Sequence, residues 1–182
     1  YYSNTRGMPW NRAHALNTGV RLAKSEYILF GDVDMEYSPD ALKSLSELAG
    51  DNIQVYSRVY FLPEGITDLN TILQGDWQSL PKSDENGKGG VHLIARKHLE
   101  KIRGYDEYYC FWGVEDRDLY SRLDQLGIES RWIDHTKYPV FHQWHPDASG
   151  GKKGFFPDRW WESMNIHFSV LKNELKRNDE NW

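Results

Sequence analysis

The order of hydrophobic and polar residues predicts helices and strands that alternate along the chain. Four stretches have the apolar spacing and end signals of helices: residues 9–24, 97–103, 115–126 and 158–177. Five short runs are rich in β-branched and aromatic residues and are predicted strands: residues 26–32, 53–62, 91–95, 128–133 and 138–141. Helices and strands of these lengths in alternation indicate an α/β layered domain.

Turn and cap residues divide this pattern further. Ser38-Pro39-Asp40 predicts the start of another helix, with serine as the cap, and Gly50 predicts its end. Residues 79–90 are polar, contain glycine and lack periodicity, so we expect a mobile loop there. Residues 146–157 contain three glycines and two lysines, which is the composition of a flexible flap.

Length, charge and cysteine content narrow the class of protein. A chain of 182 residues with 39% hydrophobic content supports one domain over residues 1–182. The net charge of −5 argues against nucleic acid as a partner, and no apolar run approaches the roughly 20 residues of a membrane span. The single cysteine, Cys110, cannot form an internal disulfide, so we expect a reducing compartment such as the cytoplasm.

The first candidate for chemistry is the pair of acids in Asp32-Val33-Asp34. They follow a hydrophobic predicted strand, where open α/β sheets bind ligands, and their oxygens suit a hard divalent cation. The same pattern also marks haloacid-dehalogenase-type phosphatases, and a solvated turn explains many such pairs. The motif alone leaves these alternatives open.

A second group of acids opens the predicted helix at residue 115. The positive end of a helix stabilises acids in its first turn, and Asp118 can also pair with Arg122 four residues later, so Asp118 is predicted to be structural. Glu115 and Asp116 follow a Trp-Gly turn at Trp112. An aromatic wall beside a carboxylate suits sugar recognition and general-base catalysis.

Two histidines, His142 and His145, complete the set of candidates. At this spacing both imidazoles can reach one ion from a strand end, and with Asp34 they suit manganese or zinc. The remaining histidines are predicted to be structural or surface residues: His14, His92, His98, His135 and His167. The chain also has eight tryptophans, several beside Gly, His or Asp, which as a group suit a sugar site.

In chain order these pieces resemble the β-1,4-galactosyltransferases and the related chondroitin-type polymerase domains, which are glycosyltransferases of the GT-A fold. The segment W-N-R-A-H-A-L-N-T-G at residues 10–19 is similar to the family's F-N-R-A-x-x-L-N-x-G. D-V-D at residues 32–34 matches its D-V-D. G-G-V-H-L at residues 89–93 is similar to G-G-V-S-A, and W-G-V-E-D-R-D at residues 112–118 to W-G-G-E-D-D-D.

The resemblance implies an inverting sugar transfer from a UDP-sugar donor to a saccharide acceptor, with galactosyl or N-acetylgalactosaminyl transfer favoured. It implies a Mn²⁺ site at Asp34, His142 and His145. Asp116 is the implied catalytic base, and Glu115 and Trp112 are the implied acceptor contacts. The implied donor contacts are Trp10, Arg12, Asp32, Val33, Gly89, Gly90 and Trp112.

Departures from the family pattern add further expectations. His142 stands where the galactosyltransferases have a methionine ligand; imidazole makes the site harder, so we expect Mg²⁺ to be tolerated as well. Val114 replaces the second glycine of the acidic motif and reshapes the acceptor wall.

The family's first nucleotide-binding strand is expected before residue 1. With a single cysteine, a bacterial or viral cytoplasmic enzyme is the expectation.

Two other classes fit part of these observations. A haloacid-dehalogenase-type phosphatase would use Asp32 as its nucleophile, but it gives no role to His142 and His145 and does not expect Met35 after the second acid. A non-catalytic carbohydrate-binding or scaffold protein would explain the tryptophans without needing Asp116.

Overall fold

The computed structural model describes residues 10–84, 88–110, 113–146 and 158–180. The chain divides into two compact units, each assembled from stretches that are separate in the sequence. The helical unit comprises Tyr1–Ile28, Arg96–Ile128 and Lys152–Trp182, and the sheet unit comprises Leu29–Ala95 and Glu129–Gly151. That residues 1–182 act as one catalytic domain stays a prediction.

The described helices and strands follow one another in a mixed order, and the last helix ends at Leu171, not at residue 177 as the sequence predicts. The helices are α1 (Arg12–Leu22), α2 (Ala41–Leu48), α3 (Leu69–Gln74), α4 (Arg96–Ile102), α5 (Glu115–Gln125) and α6 (Asp158–Leu171). The strands are β1 (Tyr27–Gly31), β2 (Met35–Tyr37), β3 (Ile53–Tyr56), β4 (Val59–Phe61), β5 (Val91–Ala95), β6 (Glu129–Trp132) and β7 (Val140–His142). None of the described helices is both long enough and apolar enough to cross a bilayer.

Local signals set the helix ends in the helical unit. The side chain of Asn11 accepts a hydrogen bond from the backbone N–H of His14 at 2.8 Å and so caps α1. Gly104 and Gly127, which follow α4 and α5, have positive φ angles of 65° and 74°, a conformation that glycine adopts without steric cost. The predicted ends of α4 and α5 are therefore confirmed.

The segment that follows α6, residues 172–180, is anchored to the turn between α4 and α5. Asn178 donates hydrogen bonds to the backbone oxygens of Arg103 and Tyr105 and accepts one from the backbone N–H of Glu107. Arg177 pairs with buried Asp118 at 3.1 Å. These contacts hold the chain just before the acidic first turn of α5.

The described strands form two sheets. The larger has the order β1-β5-β3-β6, with β3 antiparallel to β5 and parallel to β6. The smaller has the order β2-β7-β4, with β7 antiparallel to β2 and parallel to β4. Tyr60 and Phe141 of the smaller sheet pack with Leu62 and Ile72, so α3 covers a small apolar core beside these strands.

The structure differs from the sequence prediction at several points. The predicted strand over residues 53–62 is two strands, β3 and β4, which belong to different sheets, and β2 and α3 were not predicted. The prediction that Ser38 caps α2 is wrong, because the cap residue is Asp40, in a left-handed conformation, and no side chain caps the helix. The helix ends with Ala49 as its cap, one residue before Gly50.

Candidate functional site

A candidate metal centre lies in the sheet unit, where Asp34 meets His142 and His145. Asp34 directly precedes β2, and β2 pairs with β7 so that Met35 is opposite His142. The backbone N–H of Gln143 donates to the backbone oxygen of Asp34 at 2.8 Å, which extends this pairing by one step. The pairing brings together residues that are more than a hundred positions apart in the sequence.

The three side chains point to one place. Their ligand atoms all lie within 4.8 Å of one another. Oδ2 of Asp34 is 3.5 Å from Nε2 of His142 and 3.4 Å from Nε2 of His145. The other carboxylate oxygen of Asp34, Oδ1, is buried and has no hydrogen-bond partner among the described residues. A buried carboxylate oxygen without a partner is costly, and a cation held with the two imidazoles would compensate this cost.

The surroundings of the two histidines leave their Nε2 atoms available. Nδ1 of His145 is 2.9 Å from the backbone oxygen of Pro146. In the neutral ring this contact places the proton on Nδ1 and leaves the lone pair on Nε2, the arrangement that metal-binding histidines use. The ring of Phe61 lies 5.6 Å from that of His142 and limits its movement. One carboxylate and two imidazoles fit a manganese ion and leave coordination positions for a ligand.

The other strand-end residues of the D-V-D motif differ in exposure. Asp32 is partly buried, whereas Val33 is fully exposed. Tyr37, which the sequence analysis missed, lies beside them: a side chain at Gly31 would meet its hydroxyl, and burial together with the Asp32 carboxylate raises the pKa of that hydroxyl. β2 has three residues, too few to show a periodicity that would have revealed Tyr37.

Gly90 has a packing role in the sheet unit. A Cβ atom at this position would lie 2.9 Å from Cγ2 of Val59 and 3.2 Å from Cε of Met35, closer than side chains normally approach. The sheet unit therefore requires a glycine here for its own packing. That Gly89 and Gly90 contact a donor sugar stays a prediction.

A second candidate site lies in the helical unit, at the first turn of α5. Nη1 of Arg12, the first residue of α1, is 3.0 Å from Oδ1 of Asp116 and 3.6 Å from Oε1 of Glu115. The Glu115 side chain is 5% exposed and that of Asp116 is 28% exposed. One guanidinium thus contacts both acids that the sequence singled out.

The two acids differ in their electrostatic environment. Burial, and then the charge of Asp116, raise the pKa of Glu115 to about 7, although Arg12 acts in the opposite direction. Oε2 of Glu115 is buried without a hydrogen-bond partner in the described part of the chain. Val114, just before it, has a φ of 68°, a strained conformation for a β-branched residue, and such strain is concentrated at functional sites.

Asp118 has the structural role that the sequence predicts. It is fully buried and pairs with Arg122 at 2.7 Å, while Nη1 of Arg122 donates to the backbone oxygens of Ile102 and Gly104. A buried pair in which both partners make further contacts stabilises the packing of α5 and is not available to a ligand.

The remaining candidates have varied positions. Trp10 is 59% exposed at the start of the described chain. Trp112 and all of the predicted flap except Pro146 lie outside the described residues. The histidines predicted to be structural include His92, which is buried and stacked on Phe30 and Tyr56, and His167, which contacts Asp106 at 2.7 Å.

Comparison with solved structures identifies the fold. A variant of the Drosophila β-1,4-galactosyltransferase 7, crystallised with manganese, UDP-Gal and xylobiose, superposes with a TM-score of 0.58 at 20% identity. The match covers 86% of this chain and 60% of that one. The fold is therefore the GT-A fold of glycosyltransferases, as the resemblance implied.

Comparison of the sequence identifies the family. Residues 5–102 match the profile of glycosyl transferase family 2, which is more than half of the chain, and the chain belongs to that family. Residues 80–146 also match a profile described as the N-terminal domain of galactosyltransferase. Membership of a glycosyltransferase family removes the phosphatase alternative.

Two relatives are much longer than the segment that this chain matches in them. β-1,4-galactosyltransferase 7 of Drosophila melanogaster is 25% identical over 122 residues, 66% of this chain and 32% of that protein. Chondroitin sulfate synthase 3 of Mus musculus is 26% identical over 152 residues, 76% of this chain and 17% of that protein. The chain thus spans a third or less of the length of these relatives.

Proposed function

We propose that the protein is a metal-dependent, inverting glycosyltransferase that moves a hexose or N-acetylhexosamine from a UDP-sugar to an acceptor hydroxyl. Galactosyl or N-acetylgalactosaminyl transfer is favoured. The observation that carries the proposal is the convergence of Asp34, His142 and His145 in a member of a glycosyltransferase family. The Drosophila galactosyltransferase that shares the fold was crystallised with manganese and UDP-Gal, which supports the proposal.

Asp34, His142 and His145 would hold the divalent cation. When bound, Mn²⁺ would neutralise the diphosphate and so make UDP a better leaving group. Asp34 supplies a carboxylate oxygen, and His142 and His145 supply one Nε2 each. Because two of the three ligands are imidazoles and none is a thioether, we propose that Mg²⁺ also supports activity.

The helical unit supplies the acid–base chemistry. The carboxylate of Asp116, which is more exposed than that of Glu115, takes the proton from the acceptor hydroxyl. The acceptor oxygen at the same time attacks the anomeric carbon from the face opposite UDP. A single displacement of this kind inverts the configuration. Glu115, whose pKa is about 7, carries a proton in part of the molecules at neutral pH and orients the acceptor through hydrogen bonds.

The resemblance assigns the donor and acceptor contacts. Asp32 hydrogen-bonds the donor sugar or its ribose, and Trp112 stacks on donor and acceptor. The other proposed donor contacts are Trp10, Val33, Gly89 and Gly90.

The test is UDP release from a panel of four donors: UDP-Gal, UDP-GalNAc, UDP-GlcNAc and UDP-glucuronic acid. Each is assayed with a saccharide acceptor and with Mn²⁺, Mg²⁺ or a chelator. We expect release that needs both the cation and the acceptor, and a β-linked product from an α-linked donor by NMR. Asp116→Asn should lower the turnover at least 100-fold, because the general base is lost.

A matched variant and the binding of UDP separate the possible outcomes. Asp124→Asn changes an exposed acid of the same helix and should keep full activity. Asp116→Asn should still bind UDP with Mn²⁺. Saccharide binding without turnover of any donor would support the non-catalytic alternative instead, and full activity of Asp116→Asn would contradict the assigned base.

The location and source of the protein stay predictions. The single cysteine favours the cytoplasm of a bacterial or virus-infected cell. The two relatives named above come from animals.

A further inference from the structure

Arg12 is placed to organise the two acids of the helical unit. Its Nη1 atom lies between the carboxylates, 3.0 Å from Asp116 and 3.6 Å from Glu115. Its side chain is 16% exposed, so solvent screens these contacts less than it screens a surface ion pair. A guanidinium that bridges two adjacent carboxylates reduces their mutual repulsion and restricts the rotamers of both.

The backbone around Arg12 is itself held firmly. The side-chain amide of Asn11 donates to the backbone oxygen of Glu107 at 2.8 Å, and its carbonyl caps α1. The ring of His14, two residues after Arg12, contacts the carboxylate of Glu107 at 2.8 Å. Contacts on both sides of Arg12 therefore fix the start of α1 against the segment that leads to α5, so the direction of the guanidinium is defined by the fold.

We propose that Arg12 is a positioning residue, which holds the carboxylate of Asp116 in its catalytic orientation and keeps Glu115 beside it. This role differs from the nucleotide contact that the family resemblance implies for Arg12. The inference rests on the proposed function, since it assigns Arg12 a part in the action of Asp116.

The test compares Arg12→Gln with Arg12→Lys. Arg12→Gln should lower kcat at least tenfold, while the KM for the UDP-sugar and the affinity for UDP with Mn²⁺, measured by calorimetry, change less than threefold. Arg12→Lys keeps one charge and should recover part of kcat. Lys101→Gln, which removes an exposed cation of α4 in the same unit, is the control and should leave all three quantities unchanged.

Two results would overturn the inference. One is a loss of UDP affinity in Arg12→Gln as large as the loss of kcat, which would assign Arg12 to the nucleotide. The other is an unchanged kcat.

A double-mutant cycle on thermal unfolding keeps the inference separate from the proposed function. Arg12→Gln and Asp116→Asn should shift the melting temperature non-additively, since each removes the same contact. This readout needs no transferase activity. Additive shifts in melting temperature would contradict the positioning role of Arg12, even if the enzyme is active. A non-additive cycle in a protein whose wild type is inactive would contradict only the proposed function.

Discussion

The side chain of Glu115 lies in an environment that disfavours its charged form. Its carboxylate is almost completely buried, one oxygen has no hydrogen-bond partner among the described residues, and its neighbour Asp116 carries the same charge. Burial, followed by the charge of Asp116, raises the pKa of Glu115 from 4.5 to about 7. Residues with shifted pKa values are concentrated at active sites, where acid–base chemistry requires them. The burial of such a group makes the folded state less stable.

The raised pKa of Glu115 makes the stability of the protein depend on pH. Between pH 4.5 and 7 the folded state binds more protons than the unfolded state, so the contribution of Glu115 to stability is present below pH 4.5 and is lost as the pH rises through 7. Glu115→Gln replaces the carboxylate with a neutral amide, so the variant does not lose stability as the pH rises. We expect the variant to exceed the wild type in free energy of unfolding by about 3 kcal/mol at pH 8, measured by urea denaturation.

The pH series contains its own control. The advantage of Glu115→Gln should disappear at pH 4, where the glutamate is protonated in both states. Glu47→Gln, which changes an exposed glutamate of α2, should follow the wild type at every pH. An equal pH dependence in Glu115→Gln and the wild type would contradict the raised pKa.

At the scale of elements, two glycines that look alike in the sequence have different surroundings. Gly90 precedes β5 and is in close contact with Val59 and Met35, while Gly19 lies inside α1 with no atom within 4 Å of the place where a Cβ would be. The sequence cannot separate these two cases, because the atoms that approach Gly90 come from other elements.

Alanine substitution should therefore have opposite effects at the two positions. Gly90→Ala should lower the free energy of unfolding by about 1–3 kcal/mol, because Val59 has to move. Gly19→Ala should raise it by about 0.5–1 kcal/mol, because alanine favours the helix. Chemical denaturation measures both, and a neutral Gly90→Ala would show that the contact is relieved at no cost.

The segment after α6 provides a second prediction at this scale. Asn178 uses both ends of its amide on the backbone of the turn between α4 and α5. Asn178→Ala leaves these partly buried backbone groups without their partner and should cost about 1–3 kcal/mol of stability. Asn173→Ala, an exposed asparagine of the same segment, is the control and should be neutral within about 0.5 kcal/mol. Equal melting temperatures of the two variants would argue against anchoring by Asn178.

At the scale of the whole molecule, cation binding should stabilise the fold. Asp34, His142 and His145 come together only in the folded chain, so a cation bound there favours the folded state by mass action. At 100 times its dissociation constant, Mn²⁺ should contribute about 2.7 kcal/mol. We expect the melting temperature to rise by roughly 5–10 °C, with a smaller rise for Mg²⁺.

Variants of the ligands make this measurement specific. Asp34→Asn and His145→Ala should each remove most of the Mn²⁺ shift. Asp40→Asn, an exposed acid of the same unit, should retain it in full. A shift that persists in both ligand variants would place the ion elsewhere.

The sequence predicted the fold class, most element positions and the three residues that converge at the candidate metal centre. Buried strands such as β5 have a clear apolar pattern, and the ends of α4 and α5 are marked by glycines at positive φ. The D-V-D motif could be found because it follows a hydrophobic strand, and the two histidines because their spacing lets both imidazoles reach one ion. Strand β2 and helix α3 are short, and in short elements periodicity carries too little information.

What the sequence by itself determined is local: which segments form helices and strands, and which residue types offer metal-binding or acid–base groups. The tertiary structure alone decided which of these groups meet. It paired β2 with β7, so that Asp34 faces His142 and His145, divided residues 53–62 between two sheets, and placed Arg12 against Asp116. These contacts join residues far apart in the chain, and such contacts depend on how complete elements pack, which no local pattern records.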